Sequence, residues 1–305
     1  MEILRTPDAR FDGLPGYGFA PAYVDVPGGD GVGGSLRVHY VDAGARDGRV
    51  VLLLHGEPTW SYLYRAMIPP LVAAGYRTIA PDLVGFGRSD KPADRTAFTY
   101  ARHLAWLRAT LDAIGVDDAV LVVQDWGGLL GLRLVAAQPE RFAAVVAANT
   151  FLPTGDVAPG PAFTAWRTAS QTMREMHCGR IVGNGCAVAP AAEVLAGYDA
   201  PFPGERYQAA ARAFPMLVPA TPDDPEAQPN RDAWARLAAY ERPFLCAFSD
   251  GDPITRGGDR YFRERVPGAR GVAHVTIAGA GHFLQEERPL DFARAIVGFL
   301  ATAGL

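Results

Sequence analysis

One short segment constrains the fold most strongly, because it joins a buried strand to a helix through a very tight turn. An apolar run of β-type residues at 119–123 ends at Gln124 and Asp125, a glycine pair follows at 127–128, and helical spacing covers 129–137. This order is typical of a nucleophile elbow, in which a side chain on a sharp turn faces the top of a sheet beside a helix N-terminus. The alternative interpretation is that Asp125 caps the following helix.

The alternation of strand and helix extends over most of the chain. Apolar or alternating runs predict strands, and amphipathic runs that end at glycine predict helices. The predicted strands cover residues 23–26 (at an edge), 36–41, 50–54, 77–80, 119–123, 142–148, 243–249 and 272–277. The predicted helices cover residues 62–74, 100–114, 129–137 and 289–300. This order favours an α/β fold with a mostly parallel central sheet wrapped by helices, and ligands in such folds bind beyond the carboxyl ends of the strands. We therefore expect His55, Asp82 and Asp125 on one rim.

One long segment interrupts the alternation. Residues 151–229 are rich in proline, glycine and alanine, with short helical patterns and no convincing strand. We expect a helical cap at 151–229, inserted into a hydrolase-like core formed by residues 1–150 and 230–305.

Composition excludes several classes of protein. The net charge is -4 and no basic run is present, which argues against nucleic acid or an anionic membrane as a partner. No apolar stretch reaches the roughly 18 residues that a spanning helix needs, and the first residues lack an apolar signal core. The three cysteines show no zinc spacing, so free thiols in a reducing cytoplasm are expected.

Three polar residues follow three predicted strand ends in the order nucleophile, acid, histidine: Asp125, Asp252 and His282. This is the chain order of the α/β-hydrolase triad. A carboxylate nucleophile attacks saturated carbon or an epoxide and leaves an ester that water must break. Asp252, directly before Pro253, is preferred over Asp250 as the acid, although either is compatible with an ordinary turn. A plain loop histidine is the alternative at 282.

The sequence resembles the haloalkane dehalogenases of the α/β-hydrolase superfamily over about residues 1–300. The resemblance rests on HGEPTWSYLYR at 55–65, DLVGFGRSDKP at 82–92 and QDWG at 124–127, with FTAW at 163–166 and YDAPFP at 198–203 in the cap. It is greatest to the subgroup that binds halide with two tryptophans and carries its triad acid as aspartate after the strand that follows the cap.

The resemblance implies a hydrolytic mechanism without metal or organic cofactor. Asp125 would displace halide from a haloalkane, and His282, oriented by Asp252, would activate the water that hydrolyses the alkyl-enzyme ester. The products would be a primary alcohol, halide and a proton, in a role of detoxification. The small halogenated alkane and water would be the only partners, and the chain is expected to be a cytoplasmic monomer.

The resemblance also implies two groups of binding residues. The indoles of Trp126 and Trp166 would donate to the leaving halide, since an indole N–H is a donor without a lone pair to repel an anion. The backbone N–H groups of Glu57 and Trp126 would hold the oxyanion. A tryptophan in an apolar cap is more often a core residue, so the context FTAW carries the assignment of Trp166. Residues expected to line the pocket are Phe163, Phe283 and Leu284.

Three competing functions stay open on the residues alone. An epoxide hydrolase uses the same aspartate and histidine with two cap tyrosines, and Tyr198 and Tyr207 lie in the cap. A fluoroacetate dehalogenase is disfavoured because that pattern carries arginine after the nucleophile, where this chain has Trp126. A non-catalytic hydrolase-fold receptor is disfavoured by the intact triad.

Overall fold

The computed structural model describes all 305 residues, with ten strands and eleven α-helices. The strands are β1 (Ile3–Leu4), β2 (Ala22–Pro27), β3 (Ser35–Ala43), β4 (Val50–Leu54), β5 (Arg77–Pro81), β6 (Lys91–Pro92), β7 (Ala119–Gln124), β8 (Phe142–Ala148), β9 (Phe244–Ser249) and β10 (Val275–Ile277). The helices are α1 (Ile68–Ala73), α2 (Tyr100–Ile114), α3 (Trp126–Ala137), α4 (Pro161–Thr172), α5 (Cys178–Gly185), α6 (Ala192–Asp199), α7 (Ala209–Leu217), α8 (Ala227–Leu237), α9 (Gly258–Arg265), α10 (Leu284–Glu287) and α11 (Pro289–Ala303).

Eight strands form one sheet in the order β10-β9-β8-β7-β4-β5-β3-β2. From β5 through β4 to β10 all neighbours are parallel, and β2 and β3 add an antiparallel edge. β7 is buried along its whole length, as expected for a central parallel strand covered on both faces. The prediction of a mostly parallel α/β sheet flanked by helices is confirmed.

Several elements have the predicted bounds because local signals determine them. α2 covers Tyr100–Ile114 and ends at Gly115, whose φ of 76° is in the left-handed region that glycine adopts without steric cost. The Thr99 side chain accepts a hydrogen bond from the Arg102 N–H (3.2 Å) and caps the helix N-terminus.

The helix predicted at 62–74 is wrong in its extent. A single 3-10 turn, Ser61–Tyr64, precedes a short α1 that begins at Ile68. Pro69 and Pro70 have no N–H to donate, so an α-helix that contains them places them in its first turn. The α-helix therefore begins only one residue before the proline pair.

The two ends of the chain also differ from the sequence prediction. The lead-in is less irregular than expected, since β1 pairs antiparallel with β6. The last strand is shorter than 272–277: the Val272 N–H donates to the Ala269 carbonyl (3.4 Å) and the His274 N–H to the Val272 carbonyl (3.0 Å). These groups are used in a turn, so the ladder begins only at Val275.

Between β8 and β9 the chain forms helices α4 to α8 and no strand. α8 spans Ala227–Leu237, so residue 229 lies inside a helix. This helical segment is bonded to the remainder of the chain through backbone carbonyls: the Trp60 indole donates to Gly197 (3.1 Å) and the Thr6 hydroxyl to Pro201 (2.7 Å). No helix of the protein has both the length and the apolar character needed to cross a bilayer.

Candidate active site

Asp125 occupies a strained turn between β7 and α3. Its φ is 49° and its ψ is -126°, an unfavourable region for a residue with a side chain. The turn is held on both sides of the residue: the Asp125 N–H donates to the Asn149 carbonyl (3.0 Å) and the Gly128 N–H to the Asp125 carbonyl (2.9 Å). The Asp125 side chain makes no capping hydrogen bond to α3. The helix-cap interpretation is therefore wrong, and the carboxylate is available for another role.

Close backbone approach explains the glycines around the elbow. A Cβ on Gly127 would lie 2.0 Å from the Leu54 carbonyl oxygen, and one on Gly128 would lie 1.9 Å from Thr150 Oγ1. A Cβ on Gly56 would lie 2.2 Å from Asp125 Oδ1. All three distances are below van der Waals contact, so the elbow can form only where these side chains are absent.

The structure brings Asp125, Asp252 and His282 together from the ends of β7, β9 and β10. His282 Nδ1 lies 3.1 Å from Asp252 Oδ2, and His282 Nε2 lies 3.5 Å from Asp125 Oδ2. Asp250 points elsewhere, since its carboxylate accepts the Gly279 N–H at 2.8 Å. The imidazole thus lies between the Asp125 and Asp252 carboxylates.

The groups around Asp252 and His282 shift the pKa values of these two side chains in opposite directions. Burial raises the pKa of Asp252, but His282 and hydrogen bonds from Thr255 and the Ile254 N–H lower it more, to about 2. Burial lowers the pKa of His282, but Asp252 and Asp125 raise it more, to about 10. Because Asp125 contributes to this increase, converting its carboxylate into a neutral ester lowers the pKa of His282.

Glu57 contacts the nucleophile through its backbone. Its N–H donates to Asp125 Oδ1 at 2.7 Å. Burial, and next the charge of Asp125, raise the pKa of the Glu57 carboxyl well above its usual range, and Oε1 has no hydrogen-bond partner. The backbone N–H of Trp126, expected as a second oxyanion donor, makes no hydrogen bond to the Asp125 carboxylate. The carboxylate oxygens of the resting enzyme do not lie where the oxyanion of a tetrahedral intermediate would lie.

The five tryptophans divide into two groups by what accepts their indole N–H. The indoles of Trp60, Trp106 and Trp234 donate to the backbone carbonyls of Gly197, Gly28 and Leu152 at 3.1, 2.9 and 2.8 Å. The indoles of Trp126 and Trp166 donate to no carbonyl. Trp126, at the first position of α3, is buried with its ring 4.3 Å from that of Phe214. Trp166, on α4, is partly exposed and lies beside the Glu57 carboxyl, whose pKa it lowers.

The expected pocket residues differ in their surroundings. The Phe283 ring lies edge-on to the His282 ring with centroids 4.9 Å apart. Phe163 is partly buried on α4, and Leu284 is fully buried in the core. A groove of about 620 Å³ between α2, α3 and α8 is lined by none of the candidate residues, so it is separate from this site.

The epoxide hydrolase alternative needs Tyr198 and Tyr207 as acids. The Tyr198 hydroxyl donates to Glu286 at 2.5 Å, and burial raises its pKa well above the usual range. It is therefore a poor acid and is bound to another group. Tyr207 is only partly buried.

His55 and Asp82 also lie at strand ends, but they hold loops rather than reacting groups. His55 Nε2 accepts the Leu83 N–H at 2.9 Å, which ties the loop after β4 to the loop after β5. The Asp82 carboxylate contacts His39 Nδ1 at 2.7 Å and accepts the Ser61 N–H at 2.8 Å. Burial raises the pKa of Asp82, but His39 lowers it more, to well below its usual range.

Three further residues hold the site, and sequence reasoning missed them. The Asn149 amide donates to the carbonyls of Gly281 and His282 at 3.0 Å each. The Gln124 amide lies against His282. The Gly185 carbonyl, at the end of α5, accepts the His282 N–H at 2.7 Å. The only local signal was the position of Gln124 and Asn149 near the ends of β7 and β8.

Metal and thiol chemistry have no candidate residues at this site. No group of three or more His, Cys, Asp or Glu side chains is arranged to hold a metal ion. The three cysteines are unpaired, and burial raises the pKa of all three thiols.

Comparison with known proteins gives consistent relatives. A family model described as alpha/beta hydrolase fold matches residues 49–289. The chain is 53% identical over 300 residues to a haloalkane dehalogenase of Psychrobacter cryohalolentis, covering 98% of each protein. It is 48% identical over 299 residues to a haloalkane dehalogenase of Mycobacterium marinum, covering 98% of this chain and 100% of the relative.

Solved structures agree in fold. The haloalkane dehalogenase DpaA from Paraglaciecola agarilytica NO2, described as tetrameric, is similar with a TM-score of 0.88 at 33% identity, covering 96% of this chain and 97% of that chain. The putative ancestral haloalkane dehalogenase AncHLD2 is similar with a TM-score of 0.77 at 28% identity, covering 92% and 99% of the two chains.

Proposed function

The chain belongs to the haloalkane dehalogenase family of the α/β-hydrolase superfamily, and from this premise we propose which residues carry its reaction. The enzyme hydrolyses the carbon–halogen bond of a haloalkane with water and releases halide. We assign Asp125 as the nucleophile, His282 as the base, Asp252 as the triad acid, and Trp126 and Trp166 as the halide ligands. The product on this assignment is a primary alcohol.

In the first step an Asp125 oxygen attacks the carbon that carries the halogen. A carbon–oxygen bond forms as the carbon–halogen bond breaks, and the electron pair of that bond leaves on the halide. The Glu57 N–H at 2.7 Å holds Oδ1, which leaves Oδ2 as the attacking atom. A carboxylate suits this step because it is ionised near neutral pH.

Two indole N–H groups that no backbone carbonyl accepts, those of Trp126 and of Trp166 beside the Glu57 carboxyl, are the observation that best supports the halide site. The other three tryptophans use their N–H groups on backbone carbonyls. The N–H groups of Trp126 and Trp166 bind the leaving group more strongly as negative charge develops on it, which is the condition for lowering the barrier.

In the second step His282 removes a proton from water, and the water oxygen attacks the ester carbonyl. The oxyanion forms near the Glu57 N–H, and the Trp126 N–H becomes its second donor once the carbon is tetrahedral. Collapse breaks the bond between the carbonyl carbon and the alkyl oxygen, the leaving alkoxide takes the proton of the added hydroxyl to become the alcohol, the Asp125 carboxylate is restored, and His282 releases its proton to solvent. The loss of charge on Asp125 in the ester lowers the pKa of His282 and makes it a base for this step.

We propose that residues 151–229 act as a cap over the core formed by 1–150 and 230–305, with Phe163 and Phe283 lining the pocket. Leu284, which is fully buried, is the third residue proposed to line it. The cap carries Trp166, so the halide site would be complete only with the cap in place. The reaction as assigned needs no metal or organic cofactor.

The test measures halide release from short bromo- and chloroalkanes beside diol formation from styrene oxide. His282→Phe is expected to release about one halide per enzyme and then stop, with the alkyl group retained on the Asp125 peptide by mass spectrometry. His103→Phe, a buried histidine without hydrogen-bond partners, is the matched control and should retain turnover. Turnover by His282→Phe, or label on another residue, would contradict the assignment. Diol without halide would favour an epoxide hydrolase.

A single turnover in water enriched in the heavy oxygen isotope gives a second test. The ester mechanism puts water oxygen into the Asp125 carboxylate, whereas direct attack of water on the haloalkane puts it into the alcohol. The first outcome supports Asp125 as the nucleophile.

We further propose that the chain is a monomer in the cytoplasm. Light scattering of the purified protein tests the first part. A tetramer, as described for DpaA, would replace it.

A further inference from the structure

Gln124 lies where β7 ends, immediately before the elbow, and is fully buried. Its amide nitrogen is 3.0 Å from His282 Nε2 and 3.2 Å from the His282 carbonyl oxygen. One amide thus contacts both the ring and the backbone of the same histidine, although 158 positions separate the two residues.

The carbonyl determines how this amide is oriented. A carbonyl oxygen can only accept, so the Gln124 NH2 group, not its oxygen, faces His282. The second proton of that NH2 group faces Nε2, which can accept it only when the ring is neutral. In the neutral ring the proton is consequently on Nδ1, 3.1 Å from Asp252 Oδ2. The Gln124 oxygen has no partner, so the visible bonds of this side chain are all to His282.

The carboxylates around the His282 ring favour its protonated form, whereas the Gln124 amide favours the neutral form. Asp125 and Asp252 favour the protonated imidazole, and Glu57, the third carboxyl near it, is kept from ionising because burial raises its pKa. A protonated ring would set Nε2–H against the Gln124 NH2 group, two donors in contact. Gln124 is therefore the contact that favours the neutral ring.

We propose that Gln124 is a positioning residue that favours the neutral His282 ring, with its proton on Nδ1, once the ester has formed and the charge of Asp125 is lost, so that Nε2 can accept the proton of water. The inference rests on the proposed role of His282 as the base. Since Nε2 has one lone pair, the water replaces the Gln124 N–H there during hydrolysis. The bond to the His282 carbonyl holds the amide nearby meanwhile.

Removing this donor should raise the pH at which ester hydrolysis becomes fast. A hydrogen bond to the neutral form disfavours protonation, and a bond of ordinary strength corresponds to about one pH unit, or about tenfold in rate on the acid side. Alkylation should be unaffected, because that step does not use the base.

The experiment follows a single turnover of 1-bromobutane from about pH 5 to about pH 10, with bromide release reporting alkylation and the butylated Asp125 peptide reporting hydrolysis. In Gln124→Met the acid limb of the pH profile for ester hydrolysis is expected about one pH unit higher than in wild type. Gln285→Met removes another fully buried amide, one bonded to Tyr64 and not to the ring, and should leave the limb in place.

Gln124→Glu decides the matter if the methionine variant does not fold. It is nearly isosteric, and its carboxylate accepts a hydrogen bond from Nε2–H of the protonated ring, so the acid limb should move to higher pH than in Gln124→Met. The inference would be overturned if the acid limb of ester hydrolysis stayed at the wild-type pH in the folded Gln124 variants, or if it shifted equally in Gln285→Met. His282→Phe separates the two hypotheses: if its ester persists while the Gln124 limb is unmoved, the role of His282 stands and that of Gln124 fails.

Discussion

At the residue scale, each polar group of the site is defined by what lies opposite it. Asp125 and Asp252 are both carboxylates after strand ends, but they have different environments. Asp252 is buried against His282 and Thr255, and its pKa is lowered to about 2. Asp125 is held by one backbone N–H and leaves an oxygen free. The same chemical group therefore lies in a paired, buried environment in one place and keeps an oxygen free in the other, which fits the proposed roles of orienting anion and nucleophile.

Trp166→Phe should weaken halide binding. It removes one of the two proposed donors to the halide, and hydrogen bonds to charged groups contribute about 1.5–3 kcal/mol, so bromide should bind at least about tenfold less tightly. Bromide titration of the intrinsic fluorescence measures this.

Trp234→Phe is the control for that substitution, because its N–H is bonded to the Leu152 carbonyl at 2.8 Å. It should cost about 1 kcal/mol of stability and leave bromide affinity unchanged. Equal bromide affinity in Trp166→Phe and wild type would remove Trp166 from the halide site.

The pKa of His282 links the triad to the pH dependence of stability. Its pKa is raised from 6.5 to about 10 in the folded protein, so the folded state binds more protons than the unfolded state between these values. This contribution is complete below about pH 6.5 and is lost as the pH rises through about 10. The unfolding free energy of wild type should fall over that range more steeply than that of His282→Phe. Urea titrations at pH 7 and at about pH 10 measure the unfolding free energy of both proteins. An equal decrease of the two free energies between these pH values would show that His282 does not hold this proton.

At the element scale, the elbow depends on two elements packing closer than side chains allow. β7 ends and α3 begins around Asp125, and Gly127 and Gly128 let the helix approach Leu54 and Thr150. The strain at Asp125 is supported by Asn149 on the neighbouring strand end.

Gly128→Ala should destabilise the protein and disrupt the site, because its Cβ would lie 1.9 Å from Thr150 Oγ1. We expect a loss of about 1–3 kcal/mol from overpacking and a larger relative loss of halide release. Thermal unfolding and activity measure the two effects.

Gly298→Ala in α11 is the matched control, since nothing lies within 4 Å of its added Cβ. That exposed helical position should gain about 0.5–1 kcal/mol and retain activity. Similar behaviour of the two variants would mean that the elbow is not closely packed.

At the scale of the whole molecule, one buried cluster fastens the helical segment to the core. Glu286 on α10 pairs with Arg65 at 2.6 and 2.7 Å and accepts the Tyr198 hydroxyl of α6 at 2.5 Å. The Arg65 guanidinium lies over the Tyr62 ring, 4.0 Å from its centroid.

Glu286→Gln should destabilise the protein strongly, because it leaves the Arg65 cation largely buried without a counter-charge. Breaking a buried pair in this way costs about 3–5 kcal/mol, whereas Tyr198→Phe should cost about 1 kcal/mol. Asp291→Asn removes a partner of the exposed Arg294 and should have an effect near zero. Urea unfolding ranks the three, and equal costs would show that the cluster is not a buried ion pair.

Much of the architecture could be predicted from the sequence. Strand periodicity, the Gly115 stop and the strand–aspartate–glycine–helix order are local, and the structure has α2 and β8 at the predicted bounds. The predicted helix at 62–74 is too long because its apolar spacing continues N-terminal to the proline pair, which an α-helix places in its first turn. The predicted last strand is too long because a turn after Ala269 uses the backbone groups that a ladder needs.

What the sequence by itself determined is therefore the kind of sheet, the turn at Asp125 and the order in which three polar residues reach the strand ends. Steric limits on φ and the periods of helix and strand act over a few residues, so they can be read locally. Only the tertiary structure decided which carboxylate faces His282, which indoles have no backbone carbonyl as acceptor, and that Gln124, Asn149 and Gly185 converge on one histidine. Those contacts join residues far apart in the chain, and their geometry exists only once the sheet and the helical segment are packed.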